Sequence, residues 1–310
     1  MKNQRVFVRL IKELCEAEGI GLRTYCHDWV MQLTRDGRDM FLYGYQFPNN
    51  DAAGELICGD KAALAAILRT NGIPAAQHEF FMPPAMTASY GGEGNWKRLQ
   101  TLLEQYGRLV LKTNSGSGGS GVYAVENQAQ LEQFSAELLR PGRYMTASPY
   151  YDIENEYRLI WCNGAVRIAY RKVRPSVIGN GRDSIGALME QKYGANAVTP
   201  DAALELERVP AQGEEVLLNW RHNLGQGASA ELLEDGTLKA SLCDLARRAA
   251  ELLHLRFASV DIIAVGGEQM ILEINSGIMT EVFASSSEEG HRMALALYRD
   301  AVLTYFRTLA

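Results

Sequence analysis

The stretch ASVDIIAVGGEQMILEINSG, residues 258–277, holds two β-rich runs, VDIIAV and MILEIN, around Gly266-Gly267-Glu268. A hairpin centred on Gly267 sets Asp261 directly across from Glu273, and strand alternation puts Asn275 on the face of Glu273. Like charges facing each other across a sheet destabilise it unless something offsets them. Two carboxylates and an amide are oxygen-only donors that suit Mg²⁺ or Mn²⁺, and Mg²⁺ typically combines a few carboxylates with substrate phosphates. The plainer alternative is a pair of solvated carboxylates on an open sheet face. A second stretch, LVLKTNSGSGGSGVY at residues 109–123, ends an apolar strand in Lys112 and then runs from Ser115 to Gly121 in glycine and serine alone. A flexible linker would explain that composition but not the strand-like flanks. The loop joins strand to strand, which excludes a Walker loop and a dinucleotide fingerprint, since both open a helix. A glycine-rich hairpin loop can instead cover phosphates with its backbone N–H groups while a strand lysine supplies charge.

A third stretch, EYRLIWCNGAVRIAYRKV at residues 156–173, reads as a hairpin with Asn163-Gly164 as a type I′ turn. That turn predicts Glu156 opposite Arg171 and Arg158 opposite Ala169. By itself such an ion pair is structural, contributing about 0.2–1 kcal/mol.

The elements that must carry these groups follow from periodicity. A helix is predicted over Val6–Ala17, and a hairpin over Trp29–Phe47 turning at Asp36-Gly37 or Gly37-Arg38. DKAALAAILRTNGIP predicts a helix from Asp60 and a strand after it; residues 92–107 predict a helix stopped at Gly107. Strands RLVLK and GVYAVE precede a helix over 127–139, and residues 179–218 read as an irregular excursion with one helix. Leu238, Leu242, Leu245, Ala249 and Leu252 share one face of a core helix near 237–255. The organisation expected is an N-terminal segment 1–85, a lid lobe 86–148 and a large lobe 149–310.

Composition narrows the class. The chain has 310 residues, 47% hydrophobic and 22% charged, which predicts an ordinary globular core. A net charge of -6 argues against a general nucleic-acid binder. The N-terminus lacks an apolar signal-like run and no stretch is long enough to span a membrane, so a cytoplasmic protein is expected. The five cysteines are scattered and odd in number, consistent with reduced structural thiols. The histidines show no metal-ligating spacing.

In this order, strand lysine with glycine loop, EYR strand, and D…E-x-N hairpin, the sequence resembles the ATP-grasp superfamily. More narrowly it is similar to its carboxylate–amine ligases, the group of D-alanine–D-alanine ligase, glutathione synthetase and cyanophycin synthetase, over roughly residues 60 to 285. The resemblance implies an α+β fold in which two lobes clamp ATP, and a substrate carboxylate that takes the γ-phosphate before an amine attacks the acylphosphate. It implies that Lys112, with Lys61 of DKAALAAIL, meets the ATP phosphates. Ser115, Gly116, Ser117, Gly118, Gly119, Ser120 and Gly121 form the covering loop. Ala147–Tyr150, with Ser148 and Tyr150, fall on the strand that meets adenine; Glu156 matches the acid that holds ribose, and Asn223 of HNLGQGAS lies near the phosphates. Asp261, Glu273 and Asn275 match the Mg²⁺ (or Mn²⁺) ligands, and Ser276-Gly277 meet the carboxylate substrate. RKVRPSVIGNGRDSI resembles a family segment whose cation, here Lys172, Arg171 or Arg174, stabilises the charge of acyl transfer. Three departures stand out: Ser148 where an acid is usual, Gly179-Asn180-Gly181 in place of G-D-G, and a shorter N-terminal portion. The substrates implied are a small carboxylate and an amine, amino acids or short peptides, and homodimerisation is common in the group. A kinase on the same scaffold, or a nucleotide-binding regulator without turnover, are the alternatives.

Overall fold

The computed structural model describes residues 4–90, 95–116, 121–140, 142–195 and 197–308. Helix α1 (Val6–Glu18) repeats apolar residues at helical spacing and buries Phe7, Leu10, Ile11 and Leu14. It leads into an antiparallel meander, β1 (Gly21–Tyr25), β2 (Val30–Arg35) and β3 (Arg38–Tyr43), with Asp36-Gly37 as the β2–β3 turn. Helices α2 (Ala52–Gly59) and α3 (Lys61–Thr70) follow, capped by Asp51 and Asp60, whose carboxylates accept from the Gly54 and Ala63 amides at 2.6 and 2.8 Å.

The next elements form one layer of strands under two helices. They are β4 (Glu79–Phe81), α4 (Pro84–Tyr90), α5 (Asn95–Tyr106), β5 (Leu109–Thr113), β6 (Val122–Val125), α6 (Gln128–Leu138) and β7 (Met145–Pro149). The strands make a four-stranded sheet in the order β4-β7-β5-β6. Leu109, Leu111, Met145 and Phe81 alternate onto the face that packs against Leu99, Leu102 and Leu131 of α5 and α6. Lys112, Thr146, Val110 and Ser148 therefore point to the opposite face.

The remaining elements are β8 (Asn155–Cys162), β9 (Ala165–Val173), β10 (Ser176–Ile178), α7 (Ile185–Tyr193), β11 (Glu215–Leu217), β12 (Ser229–Leu232), α8 (Thr237–Leu252), β13 (Phe257–Val265), β14 (Glu268–Asn275), α9 (Glu281–Ser286) and α10 (Glu288–Thr308). A five-stranded antiparallel sheet runs β12-β9-β8-β13-β14. Its one face, Tyr157, Leu159, Ala169, Val260, Ile262 and Ile274, packs on α8 and α3. On the other face the far end, Ile160, Cys162, Ile168, Tyr170 and Phe257, joins α1, Phe47 and α10 in a second core, where Phe47 stacks on Tyr298 at 5.6 Å. The near end of that same face carries the charged groups described below. Among the described residues no helix is long and apolar enough to cross a membrane.

Four expectations change. The β8–β9 turn is at Asn163-Gly164, both at positive φ, but a bulge shifts the register between Ile160 and Trp161. Arg167 is the extra residue, so Glu156 pairs with Lys172 instead of Arg171, and Arg158 with Tyr170 instead of Ala169. The β13–β14 hairpin turns on Gly266-Gly267 alone, and a bulge opposite Asp261/Ile262 restores the predicted Asp261–Glu273 pairing. The excursion at 179–218 includes β11, which pairs with β10 around Val177, Ile185, Val216 and Leu218; three-residue strands are too short to show alternation. Leu238 is exposed in the first turn of α8, and Ala246 and Ala250 join the buried stripe. After α3 the chain lies against β14, with Ile271 N–H donating to Pro74 O at 2.9 Å and Ala76 N–H to Ile271 O at 2.8 Å, before it enters the four-stranded sheet as β4.

Candidate active site

Strand alternation gathers Glu156 and Arg158 on β8, Lys172 on β9, Asp261 on β13, and Glu273 and Asn275 on β14 on one face of the five-stranded sheet. The first four make a buried charge network. Arg158 Nε and its terminal nitrogen donate to the two oxygens of Asp261 at 2.7 and 2.6 Å, a bidentate pair. Lys172 Nζ sits between two carboxylates, 2.5 Å from Glu156 and 3.1 Å from Asp261. Burial alone would raise Asp261, but Arg158 and then Lys172 hold it below the ordinary carboxylate range. Burial pushes Glu156 upward against the pull of Lys172. His222 Nδ1 lies 3.6 Å from Glu156, and burial, with Arg174 and Lys172 nearby, drops its pKa to about 4, so the ring is neutral at pH 7.

The other wall comes from the four-stranded sheet and α3. Lys61, at the start of α3, donates from Nζ to Gly116 O at 2.8 Å, while Asn114 accepts from the Ala62 amide at 3.2 Å. These bonds tie the head of α3 to the beginning of the glycine run. Lys112 is buried, yet among the described residues its ammonium makes no hydrogen bond or ion pair. Burial drives it down to about 8 from 10.5; the Glu273 carboxylate opposes that fall and the charge of Lys61 reinforces it. Three unmet donors on a desolvated ammonium are unfavourable without an anion to receive them.

Glu273 likewise has no ion pair among the described residues; its contact is with the Asn275 amide, which donates at 3.2 Å. The donor set tests the metal. Glu273 and the amide oxygen of Asn275 are hard oxygen ligands of the kind Mg²⁺ takes alongside phosphates. Both oxygens of Asp261 are already occupied by Arg158 and Lys172, so Asp261 stands in this arrangement as their counter-ion. Among the described residues no group of three His, Cys, Asp or Glu is placed to hold a metal ion.

Other predicted residues fall as follows. Ser115, Gly116 and Gly121 flank the loop, while Ser117, Gly118, Gly119 and Ser120 lie outside the described residues. Ser148 is buried on the inner face of β7, beside Val110. Tyr150 stacks under the Arg108 guanidinium at 3.6 Å and faces Trp220 at 6.1 Å. Asn223 caps the short turn at Leu224–Gln226, accepting from the Gly225 amide at 2.9 Å, and the adjacent Arg221 donates to Val122 O of β6 at 3.2 Å. Ser276 is buried, and Gly277 leaves room for Gln46, whose Nε2 would stand 3.0 Å from an added Cβ. Of the three candidate cations, Arg171 is excluded by alternation: it points away from Lys172 and pairs with Glu231 at 2.6 Å. Arg174 lies near His222 and makes no hydrogen bond or ion pair among the described residues. Sequence reasoning missed Arg158 as a member of the network, although its i+2 spacing from Glu156 places it on the same face. It also missed His78, Thr146 and His222, which carry no local pattern and meet the site only through tertiary contact.

No protein-family model matches the chain. Over 265 residues, 78% of this chain, the sequence is 25% identical to cyanophycin synthetases of Trichormus variabilis and of a Nostoc species, and it spans 27% of the length of those relatives. The structure superposes on a bifunctional glutathione synthetase from Pasteurella multocida with a TM-score of 0.59 at 15% identity, covering 96% of this chain and 44% of that one. It superposes on D-alanine–D-alanine ligase from Bacillus anthracis with a TM-score of 0.57 at 16% identity, covering 84% of this chain and 71% of that one. At such identities the structural likeness speaks to the fold, and the sequence match adds distant kinship. The chain has the ATP-grasp fold, carried on a sequence distantly related to the cyanophycin synthetases.

Proposed function

We propose that the protein is an ATP-dependent ligase that joins a carboxylate to an amine through an acylphosphate, releasing ADP. The observation that carries this reading is the buried Lys112 ammonium, which among the described residues has no hydrogen-bond or ion-pair partner, beside Lys61 and across from Glu273, whose carboxylate meets only the Asn275 amide there. That is a place for polyphosphate and a divalent cation together. The structures that share the fold include a D-alanine–D-alanine ligase complexed with ATP and a bifunctional glutathione synthetase.

In this reading the four-stranded unit with its glycine run is the lid. Lys61 and Lys112 bind phosphate oxygens, replacing water on a group whose transfer depends on positioned charge more than on a base. Glu273 and Asn275 would hold Mg²⁺, which when bound would supply charge neutralisation on the transferring phosphoryl group. Asp261 keeps Arg158 and Lys172 charged and oriented, and Lys172 and Arg174 are the cations at hand for the oxyanion of acyl transfer. His222, neutral, can accept or donate a hydrogen bond beside Glu156 without adding charge. A closed, dry cleft keeps water from the acylphosphate. The substrates we favour are amino acids or short peptides.

The test is ADP formation with MgATP, scanned over paired pools of carboxylates and amines, with the product identified by mass. Turnover that needs one carboxylate and one amine and yields their dehydrated adduct supports the reading. A phosphorylated end product that forms without any amine contradicts it.

A further inference from the structure

Resting on the nucleotide reading above, one buried group has no part in phosphate transfer. His78 lies in the segment that crosses from β14 to β4, so it stands in the cleft between the two sheets. Its Nε2 is 3.4 Å from Leu272 O, an atom that only accepts, so Nε2 carries the ring proton. Burial, followed by the charge of Lys112, keeps the ring neutral well below the ordinary histidine pKa. Nδ1 is then a bare acceptor, enclosed and with no hydrogen-bond partner among the described residues. Thr146 Oγ1, on β7 directly across from Lys112, is likewise enclosed and without a partner among the described residues. Buried polar atoms are nearly always paired, so two orphans in one cleft indicate a ligand that completes them.

The surroundings define that ligand. A lone pair on Nδ1 repels phosphate oxygens, which leaves the base as the part of a nucleotide that belongs there. Val110, Val122 and Ala124 share the inner face of the sheet with Lys112 and Thr146 and form a half-buried apolar wall for a flat ring. We propose that His78 reads the base: Nδ1 accepts a hydrogen bond from the 6-amino group of a purine, while the Thr146 hydroxyl donates to a ring nitrogen. A 6-oxo purine would set lone pair against lone pair, so the pair of groups selects adenine over hypoxanthine and guanine.

Displacement of a fluorescent nucleotide from the full chain by MgATP, MgITP and the magnesium salt of N6,N6-dimethyl-ATP tests this without any variant. The expected result is at least about tenfold tighter binding of ATP than of either analogue. In His78→Phe, which keeps an aromatic ring and removes the acceptor, ITP should come within about twofold of ATP. Equal affinity of the unmodified protein for ATP and ITP overturns the inference while leaving the ligase reading intact, as does a His78→Phe protein that keeps the tenfold preference. Failure of every nucleotide to bind overturns both.

Discussion

Lys112 and Asp261 are both buried and charged, and they resolve that situation in opposite ways. Asp261 is fully paired, so removing its charge strands Arg158 and Lys172 in a desolvated sheet face. We expect Asp261→Asn to lose about 3–5 kcal/mol of stability in denaturant unfolding. Glu273→Gln, with no ion pair among the described residues to break, should change stability by under about 1 kcal/mol while abolishing ADP formation. Equal stability losses in the two variants would contradict the distinction between counter-ion and metal ligand. Lys112 has no ion pair among the described residues, and burial pushes its ammonium pKa down to about 8. Phosphate binding to the ammonium raises its pKa, so MgATP affinity should be at full strength below pH 8 and fall as pH rises through it, by up to about tenfold per unit. Lys112→Met should bind weakly with no such inflexion; a parallel pH profile in both proteins would remove Lys112 from the phosphate site. At this scale the strand positions of Lys112, Glu273 and Asn275 were legible from alternation, and the phosphate and metal roles proposed for them rest on residue type. The pairing of Asp261 with Arg158 and Lys172 was not legible, since the two cations reach it from two other strands.

Among the elements, the β8–β9 hairpin decides which cation faces the site. Its turn is written in Asn163-Gly164, but the bulge at Arg167 is not, because a bulge is chosen by how the strands fit their neighbours and not by a local residue signal. One residue of slip exchanges the two faces of β9. Deleting Arg167, however, removes the extra residue and joins Val166 to Ile168, so Lys172 should stay opposite Glu156 and turnover should persist. Arg167→Ala, which keeps the bulge and loses only the partly exposed pair with Asp300 at 2.9 Å, should cost under about 1 kcal/mol and leave turnover near normal. Loss of turnover in the deletion, with the fold intact, would show that the pairing of Lys172 with Glu156 depends on the bulge itself. The β13–β14 hairpin teaches the complementary point: the pairing of Asp261 with Glu273 was foreseen from a turn centred on Gly267, yet it arises from a two-residue turn followed by a bulge. Long strands and amphipathic helices such as α1, α3 and α8 were plain from periodicity, whereas β10 and β11 were too short to read.

For the whole molecule, the motif order along the chain foretold the α+β architecture and the ATP-grasp fold, because each motif sits on a strand or loop whose place the topology dictates. The sequence could not foretell that the crossing segment at Pro74–His78 presses on β14 before joining β4, nor that α3 is tied to the glycine run through Asn114 and Lys61. These contacts couple the two sheets around one cleft, and the chemistry proposed for that cleft is acyl activation. Phosphate release from MgATP with pooled amino acids and other carboxylates, in the presence of hydroxylamine and with Glu273→Gln as control, probes it most directly. Release that depends on one carboxylate pool, yields a hydroxamate and vanishes in Glu273→Gln is the result expected of an acylphosphate ligase. Carboxylate-dependent release with no hydroxamate, or a hydroxamate that persists in Glu273→Gln, would contradict it.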